Sequence, residues 1–302
     1  MKNLPRRNFL KKLSLCTLLV ATGNVRKGLS YISPVLDHNN NLITPEIGDS
    51  PICFMGIGEI GLKIGGFLSQ GLHSLPDTTT FDHNQGLYKN PIKVLQFNPY
   101  QQGFNALLEK RDLVFLSGSV EDENFWIARD LVLSTGPKLL INIIPSHPDI
   151  DIPKADNFRN PGESFISIDE NDFAQSAINV VRDLCSLLLL PNIICIDFAD
   201  IKEALDGTYG SAFYVESPFD HSIDKFRSFV LRNKHLLINA DAFCLALSYD
   251  YRTVSTLEDM TKISDFLFSN IGKDADLICS CTNVQKLNTD FRATLLSVEK
   301  YG

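Results

Sequence analysis

Short, mainly apolar runs alternate with helical stretches through the first half of this chain, and that alternation narrows the possible folds more than any other feature. Ile52-Cys53-Phe54-Met55 is followed by Gly56-Ile57-Gly58-Glu59-Ile60-Gly61 and then by an apolar helical stretch towards Leu72. Further strand-like runs occupy 92–97, 113–116, 139–144 and 165–168, with a helical pattern over 125–133. A strand that is apolar on both sides is buried on both sides, which a parallel sheet covered by crossover helices achieves. The expected class is α/β. Residues 172–190 follow as a long helix, with Phe173, Ala177, Val180, Val181, Leu184 and Leu188 at helical spacing. Asp169 or Asp172 is placed to cap its start, and Pro191 marks its end.

A second pattern begins beyond Gly210. It predicts strands at 212–215 and 236–240, a further run over 243–248, a helix over about 256–271, and closing strands at 277–282 and 291–298. Ser255 and Glu258 form a capping box for that helix and Gly272 its stop. A chain of 302 residues exceeds what one small core holds. The expected organisation is a signal-like segment (1–23), a linker (24–49), an α/β unit (50–171), a central helix with its following loop (172–200), and a smaller α/β unit (201–302).

Charge separates the N-terminus from the body. Seven of the 28 lysines and arginines lie in the first 27 positions, and no acid precedes Asp37, so the rest sets 21 bases against 36 acids. A body this acidic repels phosphate backbones, which argues against nucleic acid as a partner. Pro5-Arg6-Arg7-Asn8-Phe9-Leu10-Lys11 precedes an apolar stretch from Leu13 to Ala21, too short to span a bilayer. That order resembles a twin-arginine signal, which implies export of the folded protein to the periplasm. A cytoplasmic protein with a basic amphipathic start is the alternative. The seven cysteines show no CxxC pair and no histidine cluster, so neither a zinc site nor a disulfide framework is expected. Cys279 and Cys281 share one face of a strand, where a buried apolar role is expected.

Two segments carry potential chemistry. Gly56 to Gly61 follows a strand and opens a helix, as a phosphate-cradling loop does. It also satisfies GxGxxG, but a dinucleotide site needs a ribose-binding acid about 20 residues on, where only Asp77 and Asp82 are available. In the second segment, Asn192-Ile193-Ile194-Cys195-Ile196-Asp197-Phe198-Ala199-Asp200-Ile201, Asp197 and Asp200 are placed to cap a following helix. Phe125 and Trp126 read as helix-start core residues and His147 as a loop residue.

This second segment resembles the synergy loop of the FtsZ/tubulin family, Asn-Leu-Asp-Phe-Ala-Asp-Val. It follows a long helix here as it does there, and the downstream order is similar: Gly210-Ser211-Ala212, a Leu-Val-Asn-type strand at 236–239, a long helix and two closing strands. The resemblance covers residues 50–302. It implies an FtsZ/tubulin-like fold in which Asp197 and Asp200 act on the nucleotide of a neighbouring subunit, polarising the attacking water. It also implies that Gly56, Gly58, Gly61, Gly118 and Ser119 line the nucleotide. Where the family carries Gly-Gly-Gly-Thr-Gly-Thr-Gly, however, this chain reads Ser117-Gly118-Ser119-Val120-Glu121-Asp122-Glu123-Asn124. Three acids repel a triphosphate, two unit charges at 4 Å costing about 4 kcal/mol at an effective dielectric near 20. The expectation is a degenerate nucleotide site without a cofactor, in a scaffold that self-associates head to tail or binds another protein. The alternative is an active, polymer-forming GTPase binding GTP with magnesium. The chain ends at Gly302, just past the last expected strand, so the resemblance implies no flexible tail of the kind that meets membrane adaptors.

The targeting expectation has a direct test. Replacing Arg6 and Arg7 with lysine is expected to move the protein from the periplasmic to the cytoplasmic fraction; a wild type found wholly in the cytoplasm would remove it.

Overall fold

The computed structural model describes residues 51–71, 92–97, 104–109, 111–146, 160–189, 196–217, 222–250, 257–270, 275–284 and 291–301. The signal-like segment, the linker, Asp77, Asp82, His147, 192–195, Ser255 and Gly272 lie outside them, as does the side chain of Glu258. In chain order the elements are β1 (Ile52–Gly56), α1 (Gly58–Gly71), β2 (Lys93–Gln96), α2 (Phe104–Leu108), β3 (Leu113–Ser117), α3 (Glu123–Ser134), β4 (Leu139–Pro145) and β5 (Glu163–Ile168). A 3-10 turn at Glu170–Asp172 leads into α4 (Phe173–Leu189), followed by α5 (Phe198–Leu205), β6 (Thr208–Ser217), α6 (Ser222–Arg232) and α7 (Lys234–Leu237). The chain closes with β7 (Ala242–Asp250), α8 (Leu257–Asn270), β8 (Asp276–Val284) and β9 (Phe291–Lys300).

All nine strands join one sheet in the order β2-β1-β3-β4-β5-β6-β9-β7-β8. Pairing is parallel from β2 to β6, antiparallel where β9 meets β6 and β7, and parallel again between β7 and β8. This is the mainly parallel α/β sheet expected from the apolar runs. Both faces are covered. On one face, Ile52 and Phe54 of β1, Leu113 and Phe115 of β3, and Ile141 and Ile143 of β4 pack under α1 and α4. On the other, Cys53, Met55, Val114, Leu116 and Leu140 meet Phe125, Ala128 and Val132 of α3. In the second half, Phe243, Leu245, Leu247, Leu295 and Phe291 pack with Phe226 and Val230 of α6 and Ile263 and Leu267 of α8. The period of two along each strand divides its side chains between the layers.

The central helix is where the spacing predicts it, with Phe173, Ala177, Val180, Val181 and Leu184 buried against the sheet. Asp169 accepts from the Asn171 amide at 2.9 Å and starts the turn before it. The predicted strand at 236–240 is not a strand. Residues 234–237 form α7, and β7 begins only at Ala242. A short, mostly apolar run fits a buried helix turn as well as a strand, and Leu237 reaches the α6–α8 core from the helical form. The helix α6 itself, with Phe226 and Val230 four residues apart, went unread. Among the described residues no helix is long and apolar enough to cross a membrane.

One buried ion pair locks β4, β5 and α3 together. Arg129 Nε and Nη2 donate to the two oxygens of Glu163 at 2.6 and 2.7 Å, and Asn142 Nδ2 donates to the same carboxylate at 2.8 Å. The Glu163 side chain is fully buried, and the Arg129 guanidinium lies over the rings of Trp126 and Phe165. Removing one member strands the other charge in the core. Arg129→Met is therefore expected to destabilise the protein by about 3–5 kcal/mol in urea unfolding, and the double variant with Glu163→Leu to recover much of that loss.

Candidate functional site

The chain leaves β1 towards β2 on one side and reaches β3 on the other, so the strand order reverses between β1 and β3. In open α/β sheets a crevice opens at such a reversal, outside the carboxyl ends of the strands. Here its walls are the β1–α1 turn around Ile57 and the β3–α3 loop from Gly118 to Asp122. The structure brings Gly56, Gly58, Gly61, Gly118 and Ser119 to these two walls.

The first wall is a tight glycine turn. Ile57 N donates to Ser117 O at 2.8 Å and Gly61 N to Ile57 O at 3.2 Å, joining the turn to the end of β3. A Cβ on Gly56 would lie 2.1 Å from Gly61 O, and one on Gly61 2.6 Å from Ser117 O. Backbone packs on backbone here. Gly58 adopts a φ of 66°, a left-handed conformation that costs other residues more.

The second wall is closed on itself. Glu121 N donates to Ser119 Oγ at 3.2 Å and Asp122 N to Ser119 O at 3.1 Å. Asn124 N donates to Asp122 Oδ1 at 2.9 Å and Phe125 N to Asp122 O at 2.9 Å. Gly118 N turns to Ile143 O, at 3.4 Å. Amides at a helix N-terminus are the donors that hold a phosphate when they face outward. At α3 the Asn124 and Phe125 amides bond to Asp122, whose carboxylate caps the helix. Its Oδ2 lies 3.3 Å from where a Cβ on Gly58 would stand, so this charge leans towards the first glycine turn. Glu121 and Glu123 flank it, exposed. These carboxylates oppose the charge of a triphosphate. Among the described residues no group of three or more His, Cys, Asp or Glu side chains is arranged to hold a metal.

Asp197 and Asp200 lie elsewhere. Helix α4 starts just past the carboxyl end of β5 and runs back along the sheet, and α5 leads into Thr208, which pairs with Ser164 near the start of β5. Asp206, at the end of α5, accepts from Gly162 N at 2.6 Å and pairs with Lys202. Burial would raise its carboxyl, but Lys202, the Gly162 amide and Lys300 hold it below the ordinary range. The acidic pair thus sits towards the opposite end of the sheet from the glycine turns. The two carboxylates form a reciprocal capping box. Asp200 N donates to Asp197 Oδ1 at 2.9 Å, and Asp197 N to Asp200 Oδ2 at 3.2 Å.

Sequence reasoning named Glu121, Asp122 and Glu123 as charges facing a phosphate but missed that Asp122 is a helix cap. The signal was present, since an Asp directly before a helical run is a start signature, and α3 begins at Glu123 rather than Phe125. The described cysteines are buried as expected, and burial raises the thiols of Cys53 and Cys244 to about 12. Asp122→Ala and Asp197→Ala are each expected to cost about 1 kcal/mol in chemical unfolding through loss of a cap. Gly61→Ala, which forces backbone apart, is expected to cost more than either.

No family model and no curated protein matches the chain. Solved structures do. A single-substitution mutant of FtsZ from M. jannaschii superposes with a TM-score of 0.62 at 14% identity, over 82% of this chain and 91% of that one. An empty FtsZ dimer from the same organism gives 0.59 at 14% identity, over 82% and 88%. GDP-bound monomeric CetZ1 from Haloferax volcanii gives 0.50 at 9% identity, over 83% and 94%. At these identities the likeness is one of architecture: the chain has the FtsZ/tubulin-like fold.

Proposed function

We propose that this protein is an FtsZ/tubulin-like scaffold with a degenerate nucleotide site, working through self-association or binding of another protein rather than through GTP turnover. The observation that supports this reading is the β3–α3 loop, where the amides of Glu121, Asp122, Asn124 and Phe125 bond to Ser119 and Asp122 and the Asp122 carboxylate caps the helix. A micromolar nucleotide complex requires about 8 kcal/mol of binding free energy. Acids at 121–123 oppose it, each close pair of like charges costing about 4 kcal/mol. Asp197 and Asp200, engaged in capping each other's amides, supply helix stability rather than water activation. Export through the Arg6-Arg7 segment fits the same reading, because free GTP is not expected outside the cytoplasm.

The neighbour solved as an FtsZ dimer supports association between copies of this chain. The glycine-turn end and the Asp197–Asp200 end lie on opposite sides of the molecule, and joining them head to tail gives an open filament rather than a closed dimer. Both ends are acidic. Association through them is therefore weak at low salt and strengthens as screening shortens the Debye length from about 30 Å at 0.01 M to about 8 Å at 0.15 M.

Isothermal titration of the full chain with GTP and magnesium is expected to show no binding at micromolar concentrations. A low-micromolar dissociation constant or measurable phosphate release would establish the GTPase alternative instead. Sedimentation velocity from 0.01 to 0.15 M salt is expected to show growing assembly. A protein monomeric throughout would leave partner binding as the role, and association weakened by salt would place the contact on another, charge-complementary face.

A further inference from the structure

The central helix buries a polar stripe that neither the nucleotide crevice nor the capping box uses. Asn179, Arg182, Asp183 and Ser186 fall at i, i+3, i+4 and i+7 of α4, on one side of the helix. That side meets strands β6 and β9, where Tyr214, Arg292 and Thr294 lie. Asn179 is 1% and Arg292 4% exposed, so this is interior rather than surface.

The Asp183 carboxylate and the Asn179 amide oxygen are already engaged. Asp183 accepts from Arg292 Nη2 at Oδ1 and from Thr294 Oγ1 at Oδ2, the latter at 2.5 Å. Asn179 Oδ1 accepts from Gln175 Nε2 at 3.2 Å and Arg182 Nη2 at 2.8 Å. The Glu216 carboxylate, exposed at the rim, accepts from the Tyr214 hydroxyl. Three buried N–H donors then have no acceptor: Arg182 Nε, Arg292 Nε and Asn179 Nδ2. They are neighbours. Arg182 Nε stands 4.0 Å from Asp183 Oδ1, too far for a hydrogen bond, and that is the same oxygen to which Arg292 donates. Native interiors rarely leave such donors unpaired, and three in one place point to a missing acceptor.

We propose that this seam between α4 and strands β6 and β9 binds one small oxyanion, its oxygens accepting from Arg182 Nε, Arg292 Nε and Asn179 Nδ2. Charge selects an anion over a water molecule. Two guanidiniums share one buried carboxylate, whereas a water brings no charge and two lone pairs for three donors. Burial and the like charge of Arg292 hold the Arg182 guanidinium below its ordinary range, although Asp183, Tyr214 and Glu216 act the other way. Access is through Arg182, whose side chain is 18% exposed. An oxyanion held there ties the central helix to the C-terminal strands. The donors suit either inorganic phosphate or a short carboxylate such as acetate.

The test is thermal unfolding of the full chain in phosphate or acetate against chloride at matched ionic strength. At tenfold excess over its dissociation constant, the bound anion is expected to raise the unfolding midpoint by about 3–6 °C, and the arm that responds identifies the source. Arg182→Gln and, independently, Asn179→Ala are expected to abolish that rise while remaining folded in chloride. Arg182→Gln removes a partly exposed side chain and relieves the repulsion, so its midpoint in chloride should hold. No rise with either anion in the wild type, or an undiminished rise in both variants, would overturn the proposal.

Discussion

Parallel pairing has a consequence on which every site in this molecule depends: each connection must cross a face of the sheet to start the next strand in the same direction. With β1, β3, β4 and β5 all parallel, the β1–α1 and β3–α3 loops emerge at one end, side by side at the point where the strand order reverses. The same rule sends α4 back along the sheet and delivers Asp197 and Asp200 towards the other end. The topology thus sets the glycine turns and the acidic pair towards opposite ends of one sheet.

What the crevice can hold is decided by where the backbone amides point. A helix N-terminus exposes several unpaired N–H groups and the positive end of the helix dipole, and these favour any nearby anion, whether ligand or side chain. At α3 the side chain is Asp122, one residue before the helix, and it reaches Asn124 N at 2.9 Å. At α5 it is Asp197, answered by Asp200. A carboxylate built into the chain is present at a high effective concentration, so it competes with any free anion for the same amides. The glycines of the first turn persist for another reason. Gly56 and Gly61 let α1 press on the ends of β1 and β3, and that packing is required with or without a phosphate.

The interior also carries more charge than its apolar composition indicates. Arg129 with Glu163, and Asp183 with Arg292, are ion pairs that link α3 to β5 and α4 to β9. In the first pair both carboxylate oxygens are satisfied, with Asn142 and Asn160 adding donors. The first leaves one acceptor over, Asn142 Oδ1, whereas the second leaves three donors. Unpaired donors beside two guanidiniums mark the second as the candidate anion seam.

Class, strand positions in the first half and the central helix were all legible in the residues, since continuous apolar runs, the 3.6-residue spacing of α4 and the glycine turn at 56–61 are local signals. Asp197 and Asp200 were legible as helix caps for the same reason, their partners lying three residues apart. Residues 236–240 were misread because so short a run, apolar except for Asn239, carries no period long enough to tell a helix turn from a strand; packing against α6 and α8 decided it. Arg129 with Glu163 is 34 residues apart in the chain, and Asp183 with Arg292 is 109 apart, so no local pattern announces either pair. The sequence by itself thus determined which loops could face a ligand. Only the tertiary structure decided how the two glycine-bearing loops meet and which buried charges pair, because those partners lie far apart along the chain.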